Sequence, residues 1–212
     1  MAMKVDCFDD ILPVADFEQL KKRAEKLYSK SSSYLKKQPL IISSTSRFPQ
    51  DYLGESKEVQ SAIRVIFDEM CVCFDLDKKK SHFETWNIFS EVHGMHSLST
   101  SHGAHFDDNK WSVLPSDENR FAAVASGVLY FNTTPTYLRI FPKRHSTRDA
   151  PMKPAELIKF QEHQCVENRL VCFEGDLMHT VCGRFKASDG VFSRMGMVFN
   201  VWDESPARPW WF

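Results

Sequence analysis

The stretch SHGAHFDDNK, residues 101–110, places His105 and Asp107 two positions apart. In a strand, residues i and i+2 point to the same face, so an imidazole and a carboxylate would stand side by side. The triplet alone is a frequent coincidence and carries little weight. A third group comes from FEGDLMHTVCG, where His179 follows the Gly175–Asp176 turn in an apolar strand. Two neutral imidazoles and one carboxylate on one side of a metal leave three positions open. That facial set suits non-haem Fe(II), which needs open positions for O2 and a bidentate co-substrate. Zinc more often takes a closed tetrahedral site.

A keto acid such as 2-oxoglutarate is a co-substrate of that kind. It chelates iron through its 1-carboxylate and 2-keto oxygen, and its distal carboxylate needs a charged partner deep in the fold. Arg fits best, because its planar fork binds a carboxylate bidentately. GVFSRMGMVFNVW supplies Arg194, alone in an apolar strand 15 residues after His179. A buried charge without a partner is costly, so Arg194 calls for an anion. Tyr130 in GVLYFN is the neutral donor to the same carboxylate.

These residues need strands to carry them. FETWNIFSEV, FAAVASGVLYFN, TYLRIFP, NRLVCFEG, LMHTVCG and FSRMGMVFNVW are short runs of β-formers broken by Gly, Asn, Asp and Pro, which read as an all-β barrel or sandwich. Before them come two amphipathic helices. One is in ADFEQLKKRAEKLYSK, with a stripe of Phe17, Leu20, Ala24, Leu27 and Tyr28 and Asp16 as its N-cap. The other is in SKEVQSAIRVIFDEMCVCF, with Val59, Ile63, Ile66, Met70 and Phe74 in line and Ser56 as cap. Residues 29–54 read as a long loop with a short strand near Leu40–Ile42, and PAELIKFQEH as a third short helix. The expected build is one domain over 1–212: a helical support at 1–80 and a β-barrel core at 83–203. The fold class is mostly β with N-terminal helices (α+β), a double-stranded β-helix.

The order of these segments carries a family likeness. His105-x-Asp107, then VLYFN, YLRIFP and NRLVCFEGDLMHTV, then a strand with Arg and FNVW, resembles the Fe(II)/2-oxoglutarate-dependent oxygenases, most of all their prolyl-4-hydroxylase-like branch. The likeness covers roughly residues 83–203 and an FDD-x-L opening. It implies that His105, Asp107 and His179 are the iron ligands and that Arg194 and Tyr130 hold the 2-oxoglutarate 5-carboxylate. Leu138 and Val181 would line the co-substrate pocket. It further implies a dioxygenase that hydroxylates an unactivated C–H, releasing succinate and CO2, with ascorbate as a candidate reductant. Asp107 is a carboxylate rather than the small residue that opens a halide site in related halogenases, which favours hydroxylation over halogenation. The chain departs from the branch in three ways. An insert holding KRHSTRDAPMKPAELIKFQEHQ lengthens the gap from Asp107 to His179. Arg194 lies far beyond the distal His, so Arg184 is a rival. Gly196 stands where many relatives carry Ser or Thr.

Other features have plainer readings. His93, His96 and His102 lie in a Gly- and Ser-rich stretch and read as solvated or rim residues, with substrate contact as the alternative. FPKRHSTR reads as a solvated basic loop, or as a contact to an acidic substrate group. Trp111 walls a pocket or packs, and Trp202, Trp210 and Trp211 pack. Six Cys without a C-x-x-C read as reduced thiols in a cytoplasmic protein. Net charge is −1, which argues against a nucleic-acid partner held by bulk potential, and no apolar run is long enough for a membrane helix. The expected partner is a small-molecule or amino-acid-type substrate rather than a protein, with residues 29–54 and 143–164 as candidate lids. Two rival classes remain: a cupin-like metal enzyme that does without 2-oxoglutarate, and a sensor on the same barrel.

Overall fold

A computed structural model describes residues 2–29, 42–46, 57–93, 104–107, 121–183 and 191–203. Ser56, His96, His102, Asp108, Trp111, Arg184, Trp210 and Trp211 lie outside them, as do most of 29–54 and the side chain of His93. The described elements run β1 (Val5–Phe8), α1 (Val14–Ser29), β2 (Ile42–Ser46), α2 (Lys57–Phe74), β3 (His82–His93), β4 (Ala125–Tyr130) and β5 (Thr136–Arg144), then α3 (Pro154–Ile158), β6 (Gln161–Gln164), β7 (Leu170–Glu174), β8 (Leu177–Gly183) and β9 (Val191–Trp202). Among these helices none is long and apolar enough to cross a membrane. All six cysteines are free thiols.

The strands form two antiparallel sheets. One has six strands in the order β1-β7-β4-β9-β3-β2; the other has three, β6-β5-β8. Alternation along β9 explains how the layers stack. Met197, Phe199 and Val201 join one core cluster with Leu20 and Ala24 of α1 and Ile63, Ile66 and Met70 of α2. Val198, on the opposite face, joins Val128 and Tyr130 of β4 with Leu138, Ile140, Leu177 and Val181 of the smaller sheet. The helices therefore cover the outer face of the large sheet, and the two sheets close on each other around a second core. This is the double-stranded β-helix expected from the segment order. The helix–sheet fit is close: a Cβ added at Gly127 would lie 3.2 Å from Met70 Sδ and 3.3 Å from Cys172 Sγ. Adding even one methyl to such a contact forces shifts.

Several boundaries differ from the sequence reading. Helix α1 begins at Val14, so Asp16 sits inside its first turn, where its charge favours the helix N-terminus. Strand β2 starts where the expected one ends, at Ile42. The third helix stops at Ile158, because Lys159 leaves helical geometry (φ −99°, ψ 79°) and Gln161–Gln164 pair with β5. Val5–Phe8 form an edge strand on β7, which the sequence reading did not separate from the N-terminal opening.

The chain passes from the large sheet to the small one at Gly175–Asp176, between β7 and β8. A Cβ at Gly175 would stand 2.4 Å from the Ala123 carbonyl oxygen, so only glycine fits this corner. Arg144 of β5 braces it, donating to Glu174 (2.8 Å) on one side and Asp176 (2.6 Å) on the other. The FPKRHSTR stretch is thus not a solvated loop. Lys143 is buried and donates to the carbonyls of Arg148 and Ala150, and His145 is buried edge-on against Phe106.

Candidate active site

His179 stands at the third position of β8, two residues beyond Leu177. His105 joins that strand through one isolated antiparallel bridge. Its N–H donates to the His179 carbonyl and the His179 N–H donates back, both at 2.9 Å. Such a reciprocal pair fixes both Cα positions, and the two rings lie 4.4 Å apart. Asp107 follows two residues later on the same side, with its carbonyl accepting from the Ala123 N–H (2.9 Å). The ligand atoms of His105, Asp107 and His179 all lie within 4.8 Å of one another. That is a group of a size that one metal ion can span.

The electrostatics suit a metal. His179 Nδ1–H donates to the Leu177 carbonyl at 3.1 Å, which leaves the lone pair on Nε2, and Nε2 is 3.7 Å from Asp107 Oδ2. Burial pushes the His179 imidazole down to about 4; the Asp107 carboxylate opposes this, and His105 adds to it. The ring is therefore neutral at ordinary pH, the form in which imidazole binds metals. Phe173 packs against it at 4.8 Å, and Phe173 and Leu177 belong to one buried apolar cluster.

The keto-acid candidates come from the other sheet. Arg194 is 5% exposed, on the same side of β9 as Val198. Strand β4 ends at Tyr130, and Asn132 continues the pairing with its side chain. Its Nδ2 donates to the Ser193 carbonyl (2.7 Å) and its Oδ1 accepts from the Met195 N–H (2.8 Å), so one amide brackets Arg194. This gives the Asn of VLYFN a physical role that the sequence reading did not assign. Tyr130 is fully buried, and its hydroxyl finds no hydrogen-bond partner among the described residues. Burial pushes its phenol well above the ordinary value, with Cys165 acting the same way and Arg194 opposing. A buried hydroxyl without a partner costs about 1–3 kcal/mol, and an incoming carboxylate would relieve that cost. Leu138 and Val181 are register partners, both buried beside Tyr130 in the inner core.

Gly196 also has its reason. It is paired with Tyr130, and a Cβ there would lie 2.8 Å from the Leu129 carbonyl oxygen. The Ser or Thr of many relatives has no room while β4 and β9 keep this spacing. The residues present fit both implied groups: an oxygen–nitrogen donor set for a divalent metal, and a buried Arg with an orphaned phenol for a carboxylate.

No protein-family model and no curated protein matches the sequence. Solved structures match over nearly the whole chain. A prolyl-4-hydroxylase from Pseudomonas putida is 12% identical, with 94% of this chain and 92% of that one covered and a TM-score of 0.59. EvdO2 from Micromonospora carbonacea var. aurantiaca, complexed with 2-oxoglutarate, is 10% identical (94% and 86% covered, TM-score 0.59). The non-heme alpha-ketoglutarate-dependent carbocyclase SnoK from nogalamycin biosynthesis is 9% identical (94% and 79% covered, TM-score 0.60). These likenesses show a shared fold, the double-stranded β-helix that the sequence resemblance implies.

Proposed function

We propose that this protein is an Fe(II)- and 2-oxoglutarate-dependent dioxygenase. The observation that carries this reading is a pairing inside one closed barrel. At one level His105, Asp107 and His179 bring three ligand atoms within 4.8 Å. In the same interior lie a buried Arg194 and a Tyr130 hydroxyl that has no hydrogen-bond partner among the described residues.

In this reading His105, Asp107 and His179 hold the iron, and Arg194 and Tyr130 hold the 5-carboxylate of 2-oxoglutarate. Leu138 and Val181 flank its methylenes and exclude water. Bound iron with 2-oxoglutarate and O2 would supply the oxidation, with release of succinate and CO2. The chain's residues orient and desolvate. The Leu177 carbonyl holds His179 in the tautomer that exposes Nε2. Asn132 holds the β9 backbone on both sides of Arg194.

Hydroxylation is the outcome we propose, on the grounds that Asp107 fills the position a halide would need. The substrate we propose is a small molecule or amino-acid type. The solved neighbours named above include a carbocyclase of nogalamycin biosynthesis and a prolyl-4-hydroxylase, so a prolyl-type side chain is the second substrate class to screen. The test is anaerobic titration of the apoprotein with Fe(II) and then 2-oxoglutarate, followed by a substrate screen read as succinate. A visible charge-transfer band on adding the keto acid, and succinate formation in air, are the expected results. Metal binding with no response to 2-oxoglutarate would replace this reading with the cupin-like one. A protein that takes up no metal would support the sensor instead.

A further inference from the structure

We propose that Asn200 is a positioning residue for the Asp107 carboxylate. The inference rests on the metal-site reading above and adds a residue to it. Asn200 lies on β9 and is 1% exposed. In register it stands between Glu84 of β3 and Ser126 of β4, so the three form one cross-strand row. Inward-facing residues on this strand alternate with those packed on the helices, and Asn200 shares the face of Val198.

Chemistry decides which way its amide points. One terminal atom of Asn200 lies 3.3 Å from Asp107 Oδ2, 2.9 Å from the Phe199 carbonyl oxygen and 2.9 Å from Ser126 Oγ. The first two can only accept, so the atom facing them is the nitrogen. Its two hydrogens serve three neighbours, and the charged one competes best. Asp107 is itself 9% exposed and Ser126 is fully buried, so water cannot easily stand in for this donor.

A carboxylate with one free torsion can present either oxygen, or neither, to a metal. The Asp107 backbone is pinned through its carbonyl to Ala123, which leaves the side-chain torsions to be set by contacts. His179 faces Asp107 Oδ2 from one side and the Asn200 amide meets it from another. Partners of this kind around a metal ligand typically govern affinity by 10–100-fold. Asn200 thus touches no metal, yet it holds the carboxylate that would.

The test uses Co(II) as a redox-stable probe with the full-length metal-free protein. Wild type, Asp107→Ala, Asn200→Leu and Ser126→Ala are titrated by visible absorption, with apoprotein Tm measured in parallel. Asn200→Leu keeps the volume and removes the donor. It is expected to weaken Co(II) about tenfold or more and to change the cobalt ligand-field spectrum, with apoprotein Tm near wild type. Ser126→Ala, a smaller change that should fold if the first does not, is expected to give a loss of roughly threefold. Wild-type affinity and spectrum in both variants, alongside a loss in Asp107→Ala, would overturn the role of Asn200 alone. No Co(II) binding by wild type, or none lost in Asp107→Ala, would overturn the metal site and this inference with it.

Discussion

His179 comes from the small sheet, with His105 and Asp107 on the 104–107 segment bridged to it, whereas Arg194 and Tyr130 are carried by the large sheet. The large sheet is backed by α1 and α2 through a continuous core. Among the described residues, the one helix beside the small sheet is the short α3, whose Leu157 and Ile158 are exposed. Position at the deep end is therefore set by packing: β9 and β4 are pressed between helices and inner core. Position at the His105–Asp107–His179 end is set largely by polar pins. These are the His105–His179 bridge, the Ala123–Asp107 bond and the Arg144 brace. The two ends also differ in what they lack. Asp107 Oδ2 meets the Asn200 amide and His179 Nδ1 meets the Leu177 carbonyl, while the buried Tyr130 hydroxyl has no hydrogen-bond partner among the described residues.

The sharpest break between the two ends is Asp107→Ala, which should reduce iron-dependent succinate formation to background. Asp108→Ala should leave it unchanged. If both variants behave alike in a turnover assay, the metal end has been misassigned. Arg194→Ala should act on the other end alone, weakening 2-oxoglutarate by about 1.5–3 kcal/mol, or roughly ten- to a hundredfold. Calorimetry should then find Co(II) affinity intact, and an unchanged keto-acid affinity would pass the role to Arg184.

Gly175→Ala tests whether pins rather than packing set the metal end. Its Cβ would push on the Ala123 carbonyl, and Ala123 holds Asp107. We expect a loss of about 1–3 kcal/mol, a Tm lower by roughly 2–10 °C, together with weaker Co(II) binding. A Tm loss with unchanged cobalt affinity would uncouple the corner from the site. Tyr130→Phe should be milder and double-edged. Removing an unsatisfied hydroxyl should leave the apoprotein Tm equal or slightly higher. Keto-acid affinity should fall by about 1 kcal/mol, or several-fold. A clearly lower apoprotein Tm would mean that the phenol already has a partner.

The smallest effect concerns the small sheet itself. His163 has a buried Nε2 with no hydrogen-bond partner among the described residues, and burial, then the Arg169 charge, pushes its imidazole below the ordinary value. The folded protein thus binds fewer protons there than the unfolded chain. Stability from this residue is present above the unfolded pKa of about 6.5 and is lost as pH falls below it. His163→Gln should show a shallower fall in Tm between pH 7 and 5. An identical acid slope in the two proteins would remove His163 from the account.

The residues proposed for the site are those whose chemistry is intrinsic. His105, Asp107, His179, Arg194 and Tyr130 stand out because a charged or metal-binding group inside a β-rich segment demands a partner. The apolar runs of β5, β7, β8 and β9 were legible for the same kind of reason: alternation and β-branching record which face is buried. What escaped notice depends on a neighbour distant in sequence. Gln161–Gln164 continue a helix-like pattern and become a strand because β5 offers an edge. Asn132 and Asn200 are ordinary amides until β9 and Asp107 are placed beside them. Gly196 looked like a missing hydroxyl and is instead the consequence of a carbonyl 2.8 Å from where its Cβ would be.

The single bridge between His105 and His179 carries one further consequence. The two amides that donate across it belong to the same residues whose rings face each other. Opening of the backbone bridge would therefore part the rings as well. The exchange of these two amide hydrogens with solvent deuterium would act as a clock for the site. It would run fast when the rings are free to part and slow when something clasps them, and the two amides would keep the same time.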